Sequence, residues 1–468
     1  MRQMPSPTLL DETLRTVTRR YRLPSLDPAS SAHQAADTTT RLALAIEQAR
    51  QAKDRGETPD ECVKRAFIDA LAKTIHEAMR DDRGDSAFQA MVLRHTAAAV
   101  REYACLFARA DRDRRTVHAA VNALAHPGKL QGLAPGPRRD ALARLHASTT
   151  ASDWPELRKM AHRLLAMRDM ANDAPAARSL RQLMDGDALR HLERLDELAS
   201  DALVLRYRSL WEKHGPRSGS HAAAAQGAAS RRRGAEVEAL AAQALTKLAQ
   251  RLDVAEGTAG VYRIVTSMRV PASIAAGTDH AKSEWDVVLL KHVATRNAVP
   301  AWDVCLLVEA KASVDAAAID LPRLLRGLQL LASAKADTVY PFETQQGVVQ
   351  VRGASLRALT SSRTDPGRLV LYCCDAPAEP TPPRLLSAAS RMQLLSAIAS
   401  LEYAGTLAEN GKADRRRLGP VWHQLLESPR WSAVLDQYLL LDQARALMVH
   451  VDDLSAAIDG ATEGVPSA

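Results

Sequence analysis

The apolar residues of the first 212 positions recur with the period of α-helices. In the segment TPDECVKRAFIDALAKTIHEAM, the residues Cys62, Ala66, Phe67, Leu71 and Ile75 fall on one helical face. Similar apolar stripes occur in SAFQAMVLRHTAAAVREYACLFARA, WPELRKMAHRLLAMRDM and DALRHLERLDELASDALVLRYRSLW. The alternation typical of β-strands is missing from this part of the sequence. We therefore predict an all-helical N-terminal domain over residues 1–213.

The pattern of apolar positions then stops for twenty residues. The segment HGPRSGSHAAAAQGAASRRR, residues 214–233, is rich in Gly, Ser and Ala and contains no large apolar residue. Such a composition is typical of flexible connections between domains. We predict a flexible linker over residues 214–233.

After residue 233 the pattern changes to a mixture of helices and short strands. A helical segment, GAEVEALAAQALTKLAQRL, precedes three segments rich in β-branched residues, VYRIVTSMRV, EWDVVLL and AWDVCLLVEAKAS. The helical segment DLPRLLRGLQLLASA and the predicted strands GVVQVRG and RLVLYCCD follow. The order predicts an α+β multidomain protein, with a small core over residues 234–382 and a helical C-terminal segment over residues 383–468.

Two acidic residues and a lysine stand at the ends of neighbouring predicted strands. Side chains alternate along a strand, so Glu309 and Lys311 project from one face while Ala310 points away. Asp286 lies 23 residues before Glu309, on the preceding strand, and pairing of the two strands brings these carboxylates together. Two carboxylates form an oxygen-lined site suited to Mg²⁺ or Mn²⁺. The adjacent ammonium would face a phosphodiester and its attacking water, so the pattern indicates metal-dependent phosphodiester hydrolysis.

The tripeptide formed by an acid, any residue and lysine has little meaning alone, because it occurs by chance in a chain of this length. Lysine is scarce here, however, and Glu309-Ala310-Lys311 is the one such tripeptide in the sequence. It also ends the most apolar central strand. The alternative interpretation is a structural salt bridge at a solvated strand end.

Together these residues resemble the PD-(D/E)xK, or restriction-endonuclease-like, superfamily. The resemblance rests on Asp286, on Glu309-Ala310-Lys311, and on Gly234-Ala235-Glu236-Val237-Glu238 at the start of the helix before the first strand. It covers about a third of the chain and leaves the N-terminal half unexplained. It implies a central αβββαβ core with a mixed sheet. One position departs from the family pattern, since Trp285 and not proline precedes Asp286.

The resemblance also implies a role for each matching residue. Asp286 and Glu309 correspond to metal ligands, the main-chain carbonyl of Ala310 completes the coordination, and Lys311 corresponds to the catalytic lysine. The implied cofactor is Mg²⁺ or Mn²⁺. Glu238 corresponds to a helix glutamate that supports the metal or binds a second one, with an ordinary exposed helix acid as the alternative.

Basic and polar side chains near this core are candidates for contact with nucleic acid. They are Arg231, Arg232, Arg233, Arg323, Arg326 and Gln329. Gln329 is included because several members of the superfamily carry a polar active-site residue on that helix. The alternative for each is a solvated helix surface, and the same holds for the cluster Arg415-Arg416-Arg417.

Composition and charge narrow the function further. The formal charge is +7, which is compatible with a polyanionic partner, while 4% aromatic residues argue against a base-stacking surface. Five cysteines without a CxxC pair and histidines without metal-ligand spacing argue against zinc. The first twenty residues lack the apolar core of a signal peptide, so we expect a cytoplasmic protein without a membrane partner.

The sequence therefore favours a metal-dependent nuclease acting on nucleic acid, with DNA as the first candidate, in defence, in repair or as an antibacterial toxin. The helical N-terminal domain is a candidate surface for a protein partner, and the chain is a candidate homodimer. The main alternative is a catalytically inactive protein of the nuclease fold that binds DNA or a protein. A further alternative is a helical scaffold with a structural α/β segment.

Overall fold

The computed structural model describes residues 8–23, 37–171, 173–215, 220–274, 281–293, 300–360, 366–377 and 384–460. The protein mixes α and β structure, with a helical N-terminal region and a small sheet region. It divides into two compact units. We call residues 1–73, 218–394 and 419–468 the sheet unit, and residues 74–217 and 395–418 the helical unit.

The described residues up to 215 form helices and no strand, which confirms the predicted helical N-terminal region. In chain order the helices are α1 Leu9–Thr16, α2 Thr38–Asp54, α3 Glu61–Ala78, α4 Ser86–Thr96, α5 Ala98–Ala125, α6 Pro127–Gln131, α7 Pro137–Ala151, α8 Trp154–Leu165, α9 Arg168–Ala171, α10 Ala174–Asp185, α11 Asp187–Leu198 and α12 Ala202–His214. The stripe predicted as one helix over α4 and α5 is broken at Ala97, whose φ of −95° and ψ of 118° are extended.

The predicted domain boundaries differ from those of the compact units. Residues 1–73 belong to the sheet unit, so residues 1–213 are not one domain. Leu14 and Val17, at the end of α1, are buried in one cluster with Val237 and Val449 of the sheet unit. The helical period of a segment predicts which face it buries, but it does not identify the element against which that face packs.

The predicted flexible linker over residues 214–233 is wrong for most of its length. A single helix, α13, runs from His221 to Glu256, and the Ser220 side chain accepts a hydrogen bond from the N–H of Ala223 at its start. Alanine has the highest helix propensity, and nine of the thirteen residues from 221 to 233 are alanine or arginine in an unbroken polar helix. Their propensity outweighs the cost of Gly227, so small residues here indicate a solvated helix instead of a loop.

The rest of the chain alternates between strands and helices. The strands are β1 Tyr262–Arg269, β2 Glu284–Val293, β3 Ala301–Lys311, β4 Val339–Thr344, β5 Gly347–Arg352, β6 Val370–Cys374 and β7 Met448–His450. The helices are α14 Val314–Ala332, α15 Gly353–Ala358, α16 Ala388–Ser396, α17 Ile398–Asn410, α18 Gly419–Glu427, α19 Ser432–Leu435, α20 Gln437–Leu447 and α21 Val451–Gly460. The predicted helical C-terminal segment thus contains one short strand, β7, which pairs in parallel with β6.

The seven strands form one sheet that closes on itself. β1, β2 and β3 are successive antiparallel neighbours, and β6 lies parallel to β3. The β4–β5 hairpin joins β1 through Arg269 and Glu343 and joins β3 through Trp302 and Val351. Five strands therefore form a ring, whose two closing contacts each consist of a single residue pair.

Helices cover both faces of the β2–β3–β6 region. Residues of α13 share a buried cluster with Leu306 and Val308 of β3. Residues of α14 share a second cluster with Leu307. Burial of alternate residues on opposite faces explains why these strands are almost continuously apolar. By the same alternation Glu309, two residues after Leu307, faces α14.

No helix among the described residues combines the length and the apolar character needed to cross a lipid bilayer.

Candidate functional site

The ends of β2 and β3 bring Asp286 and Glu309 together. The strands pair at Val287 and Val308, and one further step of this antiparallel register places Asp286 opposite Glu309. The Asp286 side chain reaches across to β3, where its Oδ2 accepts a hydrogen bond of 2.9 Å from the backbone N–H of Ala310. This hydrogen bond fixes the Asp286 carboxylate beside the backbone of Ala310.

Glu309 is a fully buried carboxyl group. It ends the apolar run Leu306–Val308 and has 0% of its surface exposed. Burial, reinforced by the charge of Asp286, raises the pKa of Glu309 to about 8 despite the two nearby lysines. Within the described structure its Oε1 has no hydrogen-bond partner, so one buried acceptor atom is left unsatisfied.

A lysine that the sequence analysis did not single out lies beside Glu309. Lys282 Nζ is 2.6 Å from Glu309 Oε2, and its side chain is 7% exposed. The contact is a short, buried ion pair. The scarcity of lysine and the position of Lys282 four residues before Asp286 are the sequence signals that could have indicated it.

Lys311 lies in a network of acidic groups. Its Nζ is 3.0 Å from Asp320 Oδ2 and 3.6 Å from Glu309 Oε2. The hydroxyl of Tyr372 donates to the same Asp320 oxygen at 3.3 Å, and Lys311 Nζ lies 5.8 Å from the centre of the Tyr372 ring. Burial alone would lower the pKa of Lys311, but the carboxylates of Glu309 and Asp320 outweigh it and raise the pKa. Lys311 therefore keeps its proton and supplies a fixed positive charge.

Glu238 of α13 approaches the same region from the helix. The side chain is half-buried, and burial followed by the charges of Asp286 and Glu284 raises the pKa of its carboxyl group. Because these neighbouring carboxylates help to raise the pKa of Glu238, several acidic groups lie close together around Asp286. Glu236, the weaker sequence candidate, is exposed and lies within 4.0 Å of Arg232.

The donor atoms of this site suit a hard cation. Asp286 and Glu309 offer carboxylate oxygens, and Oε1 of Glu309 is buried without a hydrogen-bond partner. Among the residues that the structure describes, however, no three acidic, His or Cys side chains come close enough to hold a metal ion by themselves. A bound Mg²⁺ would therefore need main-chain oxygen or water to complete its coordination, as it commonly does in proteins.

The predicted nucleic-acid contacts all lie on exposed helix surfaces. Arg231, Arg232 and Arg233 are exposed in the first half of α13, and Arg323, Arg326 and Gln329 are exposed on α14. Gln329 follows Asp320 by nine positions, which at about 100° per residue places it on the opposite side of α14. The structure therefore does not bring Gln329 into the Lys311 network. The cluster Arg415-Arg416-Arg417 forms a 3₁₀ turn in the helical unit.

Comparison with known proteins gives no match. No protein-family model, curated protein or solved structure matches this chain. The function of the site must therefore be inferred from its own geometry and charge.

Proposed function

We propose that this protein is a metal-dependent nuclease that hydrolyses phosphodiester bonds of nucleic acid, with DNA as the first candidate substrate. The observation that carries the proposal is the placement of Asp286 beside Glu309-Ala310-Lys311 at one end of the sheet. A buried carboxylate, a second carboxylate and a protonated lysine are the groups that metal-assisted phosphodiester hydrolysis needs.

The order of the elements supports an assignment to the PD-(D/E)xK superfamily. The superfamily order αβββαβ is matched in chain order by α13, then β1, β2 and β3, then α14, and finally β6. Strand β6 also runs parallel to β3. The β4–β5 hairpin between α14 and β6 and the ring that it closes are departures from the simple αβββαβ order. The hairpin joins β1 at Arg269, which pairs with Glu284 two residues before Asp286, and joins β3 at Trp302, seven residues before Glu309.

The charge of the site supports a divalent cation. Lys282 pairs with Glu309, and Lys311 pairs with Asp320. Asp286 and Glu238 have no ion pair within the described structure, so two negative charges stay uncompensated when both groups are ionised. One divalent cation would neutralise them, and Mg²⁺ and Mn²⁺ prefer such oxygen ligands.

Each residue then has a definite task. A bound divalent cation would polarise the phosphoryl oxygen and lower the pKa of a water molecule. Asp286 and Glu309 would hold the cation, and Glu238 would add negative charge on the α13 side. Lys311 would stabilise the charge that develops on the phosphate in the transition state. Asp320, held by the Tyr372 hydroxyl, orients Lys311 as a positioning residue.

The distribution of charge supports a proposal about which unit binds the rest of the substrate. The helical unit contains 28 Lys and Arg against 22 Asp and Glu, whereas the sheet unit contains 34 against 33. The excess positive charge of the protein thus belongs almost entirely to the helical unit. We propose that this unit binds the phosphate backbone, an interaction that should weaken steeply with added salt.

The alternative function is binding of nucleic acid without cleavage. The ion pair between Lys282 and Glu309 favours it, because an internal cation already occupies one oxygen of the proposed metal ligand. A catalytic site must release this oxygen, whereas a binding protein could retain the pair permanently. The two functions predict different results in a cleavage assay.

Plasmid nicking and RNA cleavage, each with Mg²⁺, with Mn²⁺ and with EDTA, test the proposal. We expect cleavage with the metals, none with EDTA, and a loss of about two to three orders of magnitude for Asp286→Asn. Asp303→Asn is the matched control, because Asp303 lies on β3, six residues before Glu309, and pairs with Arg352 outside the site. Nucleic-acid binding without cleavage of either substrate would favour the alternative, and equal cleavage in EDTA would exclude the metal mechanism.

A further inference from the structure

Lys282 is a buried cation at the proposed metal site, and the proposed reaction gives it no task. We propose that Lys282 is the internal counter-ion of Glu309, which occupies this carboxylate until a divalent cation takes its place and thereby sets the metal affinity of the site. This inference rests on the proposed function, because it assumes that Glu309 binds a metal.

The position of the ammonium group carries the inference. Lys282 Nζ lies 2.6 Å from Glu309 Oε2, with 7% and 0% of the two side chains exposed. Mg²⁺ binds carboxylate oxygens at about 2.0–2.1 Å, so an ammonium group this close to Oε2 competes for the same oxygen. Even a cation bound to Oε1 would face the positive charge of Lys282 across one carboxylate in a poorly solvated site.

The fold holds the stem of Lys282 tightly, which distinguishes it from a mobile surface lysine. Its backbone N–H donates to the carbonyl of Arg323 at 3.3 Å. A Cβ at Gly327 of α14 would lie 2.7 Å from Lys282 Cβ and 3.3 Å from the Trp285 ring, so α14 can approach this closely only because residue 327 is glycine. The backbone of Lys282 is thus fixed, while rotation about the bonds of its four-carbon side chain allows the ammonium group to move away from Glu309.

Lys282 and Lys311 act differently in this arrangement. Lys311 has its own carboxylate, Asp320, at 3.0 Å and is 3.6 Å from Glu309. It can therefore remain in place when a metal binds. Lys282 has Glu309 as its carboxylate partner within the described structure, so the arriving cation and Lys282 compete for one group. Removal of Lys282 should tighten metal binding, whereas removal of Lys311 should chiefly slow the reaction.

Isothermal titration calorimetry of the full chain with Mg²⁺ and Mn²⁺ tests the competition without any activity measurement. We compare the wild type with Lys282→Met, which keeps the length of the stem and removes the charge, at mildly alkaline pH so that protons compete little for Glu309. We expect the dissociation constant to fall at least tenfold. Lys291→Met is the matched control, because Lys291 is a lysine of β2 that pairs with Glu256 at 2.5 Å outside the site.

Thermal unfolding provides a second measurement on the same variants. Without metal, Lys282→Met should melt below the wild type, because Glu309 loses its counter-ion; saturating Mn²⁺ should narrow or reverse this difference. Lys282→Gln, which retains a polar end, replaces Lys282→Met if that variant does not fold. The Lys291→Met control should change neither the dissociation constant nor the response to Mn²⁺.

The outcomes separate this inference from the proposed function. Metal binding by the wild type with an unchanged or weaker affinity in both Lys282 variants would overturn the counter-ion role and leave the nuclease proposal intact. Absence of metal binding in the wild type but tight binding in Lys282→Met would support the counter-ion role and favour the non-cleaving alternative. Absence of binding in all variants would overturn both.

Discussion

Lys311→Ala separates a catalytic lysine from a structural one. The change deletes two contacts of a side chain that is 16% exposed, one to Asp320 at 3.0 Å and one to Glu309 at 3.6 Å. If Lys311 stabilises the transition state, its loss should slow cleavage by about two to three orders of magnitude, or ~2.7–4 kcal/mol in activation free energy. Binding of nucleic acid should change little, because backbone affinity is distributed over many basic residues.

The same change should also lower the stability of the fold. Removal of one partner from a fully buried ion pair costs about 3–5 kcal/mol. Here both acids keep another partner, since Asp320 accepts from the Tyr372 hydroxyl at 3.3 Å and Glu309 lies 2.6 Å from Lys282. We therefore expect a smaller loss in the free energy of unfolding, about 1–3 kcal/mol.

Denaturant unfolding and metal-dependent nicking on one preparation give both quantities, and the cleavage rate is then expressed per folded molecule. Lys291→Ala serves as control, because its pair with Glu256 is 37% and 43% exposed and should contribute less than about 1 kcal/mol. An unchanged cleavage rate per folded molecule in Lys311→Ala, together with reduced stability, would refute the catalytic assignment and leave Lys311 as a structural ion pair.

Three further predictions concern the same site. Because the pKa of Glu309 is raised from 4.5 to about 8, its contribution to the free energy of unfolding in EDTA should be present below pH 4.5 and be lost as the pH rises to 8. Glu309→Gln should remove this pH dependence from the free energy of unfolding measured in urea, and an unchanged pH dependence would contradict the burial argument. Gly327→Ala should lower the free energy of unfolding by about 1–3 kcal/mol, because its Cβ would lie 2.7 Å from Lys282 Cβ; a stability equal to that of the wild type would mean that α14 yields easily. Ca²⁺ should support nucleic-acid binding in a filter assay but little cleavage, because its looser coordination positions the attacking water poorly; equal cleavage rates in Ca²⁺ and Mg²⁺ would speak against a geometrically demanding site.

The candidate site could be predicted from the sequence because its main residues lie on consecutive strands. Alternation along β3 places Glu309 and Lys311 on one face, and an antiparallel connection from β2 to β3 places Asp286 opposite Glu309. Both inferences use local geometry alone. The strands β1, β2, β3 and β6 were also recognisable, because their β-branched, apolar composition is typical of strands buried on both faces.

The partners of these residues could not be predicted in the same way. Lys282 precedes β2 and packs against Gly327 of α14, while Asp320 of α14 lies 3.0 Å from Lys311. Such contacts depend on helix packing, which leaves no periodic signal in the sequence. Strand β4 was missed because it contains Pro341, a residue typical of edges, and β7 because three residues between two helices are too few for a pattern.

The energetics of the strand end argue for a function beyond structure. Positions 306–308 of β3 bury Leu, Leu and Val, and continuation of this pattern at position 309 would stabilise the sheet without any polar group. Replacement of a buried ion pair by packed apolar residues is often neutral or stabilising, by up to about 4 kcal/mol. Glu309 instead leaves its Oε1 without a hydrogen-bond partner, and an unsatisfied buried polar atom typically costs about 1–3 kcal/mol. A buried carboxyl group with one oxygen left without a partner is explained if a further cation binds it during the reaction, and the calorimetric comparison of wild type and Lys282→Met measures that binding directly.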